Sequence, residues 1–248
     1  MSTAEGTPGH AAVGGDRRAK HERVRKAGGR VIRMLCRPTV TGLEHVPSEG
    51  GFIVASNHLS FLDSVLIQGI FPRPVSFFAK AEYFAQTGLK GRGMKLFFES
   101  FGSVPVDRDK QSGAVEALYG LGEMVQSGSG VGIYPEGTRS RDGRLYRGKN
   151  GVGWLALATG APVIPVGLRG TEELQAPDSN RVRIRSFEVH AGEPLRFERM
   201  EKQPLKARRD ATAQIMDAIA ELSGQERVDS YNARPAEAGD TTEGGTGG

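Results

Sequence analysis

Apolar residues along this chain fall into two kinds of run, and their alternation predicts the architecture. Short continuous runs at 51–55, 75–79, 131–134 and 162–168 have the length and composition of buried strands. A further short strand is expected at 103–106, where Pro105 marks an edge or a bulge. Between these runs the apolar spacing lengthens to three and four residues. It predicts helices up to Ile70, around 82–98, over 112–127 and over about 151–159. A last helix is expected over about 205–222, repeating apolar residues at Ala211, Ile215, Ala218, Ile219 and Leu222. The segments 182–185 and 188–190 alternate in polarity and read as a later, half-exposed strand. Strands alternating with helices predict an α/β layered domain, with a largely parallel central sheet flanked by helices.

The ends of the chain break this pattern. Residues 1–16 and 224–248 are rich in Gly, Thr, Ala and acids and nearly lack large apolar side chains. Such segments bury too little surface to offset chain entropy, so both are expected to be disordered tails. That leaves a basic arm at 17–37 and one folded domain at 38–223. The single Cys36 agrees with a reducing compartment. The N-terminus does not read as a signal peptide, and no apolar run reaches the ~18 residues of a spanning helix. A cytoplasmic or peripheral protein, on the inner face of the cell membrane, is therefore expected.

Charge changes the picture in one place. The chain carries a formal net charge of +4, yet residues 16–37 alone hold nine Arg or Lys against two acids. On a helical wheel Val24, Ala27, Val31, Met34 and Leu35 form one stripe, and Arg23, Lys26, Arg30, Arg33 and Arg37 border it. An apolar face with a cationic rim suits an anionic bilayer, where each Lys or Arg adds about 1 kcal/mol of attraction. Ordinary packing on the domain is the competing reading. Nucleic acid is disfavoured, because no aromatic residues interleave with the charges. Gly28 and Gly29 weaken the helix, so a bend there, or ordering of the arm only on binding, is expected.

Two polar runs carry the candidate chemistry, each just past a predicted strand, where α/β sheets place their sites. In the run 57–63, Asn-His-Leu-Ser-Phe-Leu-Asp, Ser60 and Asp63 fit a capping box with Ser60 at the N-cap. His58 then folds back over the first turn, where Asp63 can fix its tautomer and leave Nε2 as a base. The plainer alternative is a capped helix and a loop histidine. No protein nucleophile lies nearby, so such a base would deprotonate a hydroxyl of the substrate. In the second run, 134–140, Gly137 permits close approach of a ligand, Thr138 offers a hydroxyl and Arg139 a planar fork suited to phosphate. Arg108 and Lys80 stand near neighbouring strand ends. The alternative here is a surface turn in which Glu136 and Arg139 pair. A Walker loop is absent, and five scattered histidines with one cysteine do not predict a metal site. No cofactor is implied.

Taken together, Asn57-His58-x-Ser60-x-x-Asp63 and Glu136-Gly137-Thr138-Arg139-Ser140 resemble the PlsC-like glycerolipid acyltransferases, in particular bacterial 1-acylglycerol-3-phosphate acyltransferases. Residues 102–108 resemble the family's second block and 163–166 its fourth, in the family's order, so the resemblance covers about 38–200. It implies a glycerol-3-phosphate acyltransferase-like fold. The implied reaction moves a fatty acyl group from acyl-CoA or acyl-carrier protein to the free hydroxyl of lysophosphatidate, giving phosphatidate. By this likeness His58 is the general base and Asp63 orients it. Glu136, Gly137, Thr138 and Arg139 bind the glycerol phosphate, with Arg108 and Lys80 in support. Two departures stand out: Pro105 replaces a common Phe, and a basic arm stands where members often have hydrophobic helices. An acyl groove is expected near Phe61, Phe77, Phe78, Phe97 and Phe98, although most of these aromatics also read as core. A different lyso-lipid or glycolipid acceptor, or a non-catalytic module that binds anionic lipid, would use the same residues.

Overall fold

The apolar run after Gly51 forms a fully buried strand, β2 (Phe52–Ser56), and its alternation divides the core in two. Phe52 and Val54 meet Leu66, Ile67, Phe71 and Phe77 on one side. Ile53 and Ala55 meet Leu121, Leu155 and Ile219 on the other. A strand covered on both faces has no polar positions to alternate, which is why its sequence is continuously apolar. A computed structural model describes residues 10–80, 104–106, 111–175, 179 and 181–232.

Around β2 stand β1 (Thr39–Thr41), β3 (Val75–Lys80), β4 (Val104–Val106), β5 (Gly130–Ile133), β7 (Val163–Arg169) and β8 (Glu188–Ala191). They form a seven-stranded sheet in the order β1-β8-β7-β2-β5-β3-β4. Its pairings are parallel except β7 with β8. A separate short ladder joins β6 (Leu145–Tyr146) to β9 (Arg227–Val228). The helices α1 (His10–Cys36) and α2 (Asp63–Ile70) cover one face. The other face carries α3 (Gln111–Gln126), α4 (Gly151–Thr159) and α6 (Leu205–Ser223), and a single turn, α5 (Thr171–Leu174), follows β7. This is the expected α/β layered architecture. As an edge strand, β4 accommodates Pro105, which lacks a donor for a second neighbour.

Four local expectations meet a different outcome. Residues 181–185 form no strand and are all exposed, because pairing with β1 and β7 begins only at Glu188. The helix α1 runs unbroken through Gly28 and Gly29, and it reaches back into 10–16. Gly29 lies so close to Gly69 of α2 that a Cβ there would overlap the Gly69 carbonyl. The glycine is therefore a close-packing position and not a bend. Finally, residues 224–232 fold back onto the domain through β9, while 233–248 lie outside the described residues.

The arm combines the packing and exposed readings. Arg25 is buried and donates to the Gln68 and Phe71 carbonyls at 2.9 and 2.6 Å, and Arg33 donates to the Ile70 carbonyl at 2.8 Å. Both guanidiniums satisfy carbonyls at the C-terminal end of α2, where cations also complement the helix dipole. Val24, Val31, Met34 and Leu35 remain exposed, Met34 to 67%.

Close packing also sets the site's floor. A Cβ on Gly132 would overlap the Phe77 ring, and that ring lies 5.2 Å from Tyr134. Gly132→Ala should therefore destabilise the fold by about 1–3 kcal/mol through overpacking. Denaturant unfolding checks this, and an unchanged midpoint would contradict the packing described.

Candidate active site

Parallel pairing of β2 with β5 sets Ala55 beside Ile133, so the chain leaves both strands at the same end of the sheet. The loop carrying His58 and the loop carrying Glu136–Ser140 are thereby neighbours. They are joined directly: the Ser140 N–H donates to the His58 carbonyl at 2.7 Å. Two motifs separated by some seventy residues form one site.

His58 is oriented from two directions. Its Nδ1 is 2.8 Å from Asp63 Oδ2, and its ring stacks on Tyr134 with centroids 3.8 Å apart and planes 8° from parallel. The Tyr134 hydroxyl is in turn 2.8 Å from Ser64 Oγ. Asp63 is fully buried, and the same Oδ2 accepts the Leu59 and Ser60 N–H groups at 2.7 and 2.8 Å. A carboxylate fixed by two backbone donors makes a rigid acceptor, which assigns the Nδ1 proton and leaves Nε2 as the ring's basic nitrogen.

The capping box takes a modified form. The regular helix starts at Asp63 with Leu62 at its N-cap, not Ser60. Ser60 Oγ still accepts the Leu62 N–H at 3.3 Å while Asp63 returns to the Ser60 N–H. The reciprocal exchange therefore closes a turn just ahead of α2.

The second loop is built around a glycine and a buried acid. Gly137 has φ +76°, a backbone that disfavours a side chain, and a Cβ there would lie 2.9 Å from Lys149 Nζ. Lys149 is thus a cation of this loop that the sequence reading missed. Glu136 is 1% exposed, so it braces the loop from inside, its Oε1 accepting the Tyr146 N–H at 2.9 Å. Burial pushes its carboxyl up to about 7, with Asp142 adding to the rise, against the Tyr146 and His58 backbone groups that favour ionisation. Asp142 behaves oppositely. Desolvation opposes its ionisation, but donors from Tyr146, Arg144 and Ser140 together hold it well below the usual carboxylate range. Thr138 and Arg139 are half-buried on the same loop, with the Arg139 carbonyl accepting from Asn232 at 3.0 Å.

The remaining expected residues fall differently. Lys80 ends β3 opposite Val106, which brings its backbone to the same end of the sheet. Arg108, Phe97 and Phe98 lie outside the described residues. Phe77 is core. Asn57, fully buried beside His58, ties β2 to β7: it donates to the Leu168 carbonyl at 2.9 Å and accepts the Leu168 N–H at 2.8 Å.

A family model described as Acyltransferase matches residues 37–169, more than half of the chain and both of the motif loops just described. The chain belongs to this acyltransferase family. Among its relatives is a chloroplastic 1-acyl-sn-glycerol-3-phosphate acyltransferase of Brassica napus, 34% identical over 144 residues, covering 58% of this chain and 40% of that one. A Bacillus subtilis 1-acyl-sn-glycerol-3-phosphate acyltransferase is 26% identical over 187 residues, covering 73% and 86%. The solved structure of the 1-acyl-sn-glycerophosphate acyltransferase PlsC from Thermotoga maritima superposes with a TM-score of 0.63 at 26% identity, covering 83% of this chain and 80% of that chain. The chain spans about 40% of the length of the chloroplastic relatives from Brassica napus and Arabidopsis thaliana. Both motif loops lie within the matched domain, whereas residues 225–232 lie outside it.

The raised Glu136 carboxyl makes a signed prediction. Its folded value, about 7, exceeds its ordinary 4.5, so the protonated form favours folding below 4.5 and this contribution fades as pH rises towards 7. The stability of the native chain relative to Glu136→Gln should fall over that window by an amount on the order of 3 kcal/mol. Denaturant unfolding at several pH values reads it, and a difference that does not vary with pH would contradict the assignment.

Proposed function

We propose that this family member transfers a fatty acyl group from an acyl thioester to the free hydroxyl of 1-acylglycerol-3-phosphate, giving phosphatidate. The observation that carries this reading is the hydrogen bond between Ser140 and His58, which sets a base and an anion-binding loop side by side. A substrate with both a hydroxyl to deprotonate and a phosphate to hold matches that pairing. The names of the relatives supply the acyl chemistry.

In this mechanism the acceptor's phosphate lies against Gly137, Thr138 and Arg139, with Lys149 beside them. His58 Nε2 takes the hydroxyl proton while the oxygen attacks the thioester carbonyl. Asp63 stabilises the imidazolium that forms. Collapse of the tetrahedral intermediate expels the thiolate, which recovers the proton from His58. The thiol belongs to coenzyme A or an acyl-carrier protein. Glu136 serves by holding the loop, and Lys80 and Arg108 are the further cations proposed to support the phosphate.

The exposed stripe on α1 supports a peripheral attachment to an anionic membrane on the cytoplasmic side. Its apolar side chains are flanked by Arg23, Lys26 and Arg30, all exposed. Among the described residues, no helix is long and apolar enough to cross a membrane.

Thiol release and phosphatidate formation, followed together with lysophosphatidate as acceptor, test the reaction. His58→Ala should lower kcat by about a hundredfold or more with the fold retained. Arg139→Ala should raise KM for lysophosphatidate by about tenfold or more while affecting a phosphate-free lyso-lipid little. Near-native turnover in His58→Ala would overturn the base, and little loss in Arg139→Ala would favour a different lyso-lipid or glycolipid acceptor. For the arm, replacing Met34 and Leu35 with Asp should weaken co-sedimentation with phosphatidylglycerol vesicles, and unchanged binding would refute that face.

A further inference from the structure

The last described residues reach the anion-binding loop at several points. Helix α6 ends at Gly224, whose left-handed backbone (φ +65°) turns the chain back towards the sheet's site end. Gln225 then makes a two-sided contact: its Oε1 accepts from Asn57 Nδ2 at 2.7 Å and its Nε2 donates to the Gly143 carbonyl at 2.6 Å. Next, β9 pairs with β6, directly after the loop, and the Arg147 N–H donates to the Ser230 carbonyl at 2.9 Å. The Arg147 guanidinium stands over the Tyr231 ring at 5.3 Å. Asn232 completes the set, donating from Nδ2 to the Arg139 carbonyl at 3.0 Å.

The geometry points to residues 225–232 as a strap that positions the phosphate-binding loop, with Gln225 and Asn232 as its positioning residues. Loop 137–147 is irregular apart from the two residues of β6, and it carries Gly137 with φ +76°. Its inner side is braced by Glu136 and Ser140. Its outer side is held by the strap, at the Arg139 and Gly143 carbonyls and along β6. A guanidinium recognises phosphate by direction as well as charge, so an Arg139 backbone held at its own carbonyl presents its fork in a fixed place. Gln225 also meets Asn57, the neighbour of His58, so one side chain spans the base loop and the anion loop. The family model ends at residue 169, before the strap.

The strap rests on the proposed acceptor for its kinetic consequence, but not for its structural one. Each of Gln225→Ala and Asn232→Ala should raise KM for lysophosphatidate about fivefold, and the pair about tenfold or more, the scale expected for ordinary hydrogen bonds. The donor KM and kcat should stay within about twofold, since the His58–Asp63 pair is untouched. In parallel, amide hydrogen exchange should quicken at 138–147 and stay slow in β2 and β5. Unchanged exchange at 138–147 in the double variant would overturn the strap, as would a loss confined to kcat. If the native chain transfers nothing to lysophosphatidate while the exchange effect appears, the proposed reaction fails and the strap stands.

Discussion

The candidate-site end of this molecule depends on one buried oxygen, Oδ2 of Asp63. It accepts two backbone N–H groups from the chain just before α2 and meets the imidazole of His58 as well. An ionised carboxylate without exposure to water is costly unless donors surround it. Here the turn that caps the helix supplies two of them. Structural need and the proposed chemical use therefore coincide: the donors that make the buried acid tolerable are also those that fix its direction. His58 inherits that direction through its Nδ1, and Tyr134 stacks flat against the ring to define its plane.

The register of the sheet does the rest. Because β2 and β5 are adjacent and parallel, their following loops emerge side by side, and the Ser140–His58 contact locks one to the other. A layered stack continues beneath, with His58 on Tyr134, Tyr134 near Phe77, and Phe77 filling space that Gly132 leaves open. A core position two layers down thus bears on where the His58 ring sits. The loop carrying Glu136–Ser140, by contrast, is held from both sides by polar contacts, inside by Glu136 and outside by residues 225–232.

The strands were legible because burial on both faces leaves runs such as 52–56 without polar positions. Asp63 was legible because its partners are local, within five residues along the chain. Tyr134 and Lys149 were harder to see, since their roles arise from stacking and from the fold of a turn. Tyr134 at least had the signal of an aromatic at a strand end just ahead of the glutamate run. Gln225 had none: its partner Asn57 is 168 positions away, and composition alone placed it in a tail. The exposed 181–185 segment misled for the opposite reason, because alternation signals a strand only where a neighbour is free to pair. In the arm, Gly29 looked like a weakness when read as propensity, and close contact with Gly69 showed its use.

The central claim is that Asp63 holds His58 as the base in acyl transfer, and Asp63→Asn tests it most directly. The amide keeps the shape, and its oxygen can still accept the Leu59 and Ser60 N–H groups, but it carries no charge to stabilise an imidazolium. Steady-state kinetics with acyl-CoA and lysophosphatidate should show kcat lowered by about a hundredfold or more, with both KM values within about threefold of native. A kcat within a few-fold of native would contradict the account.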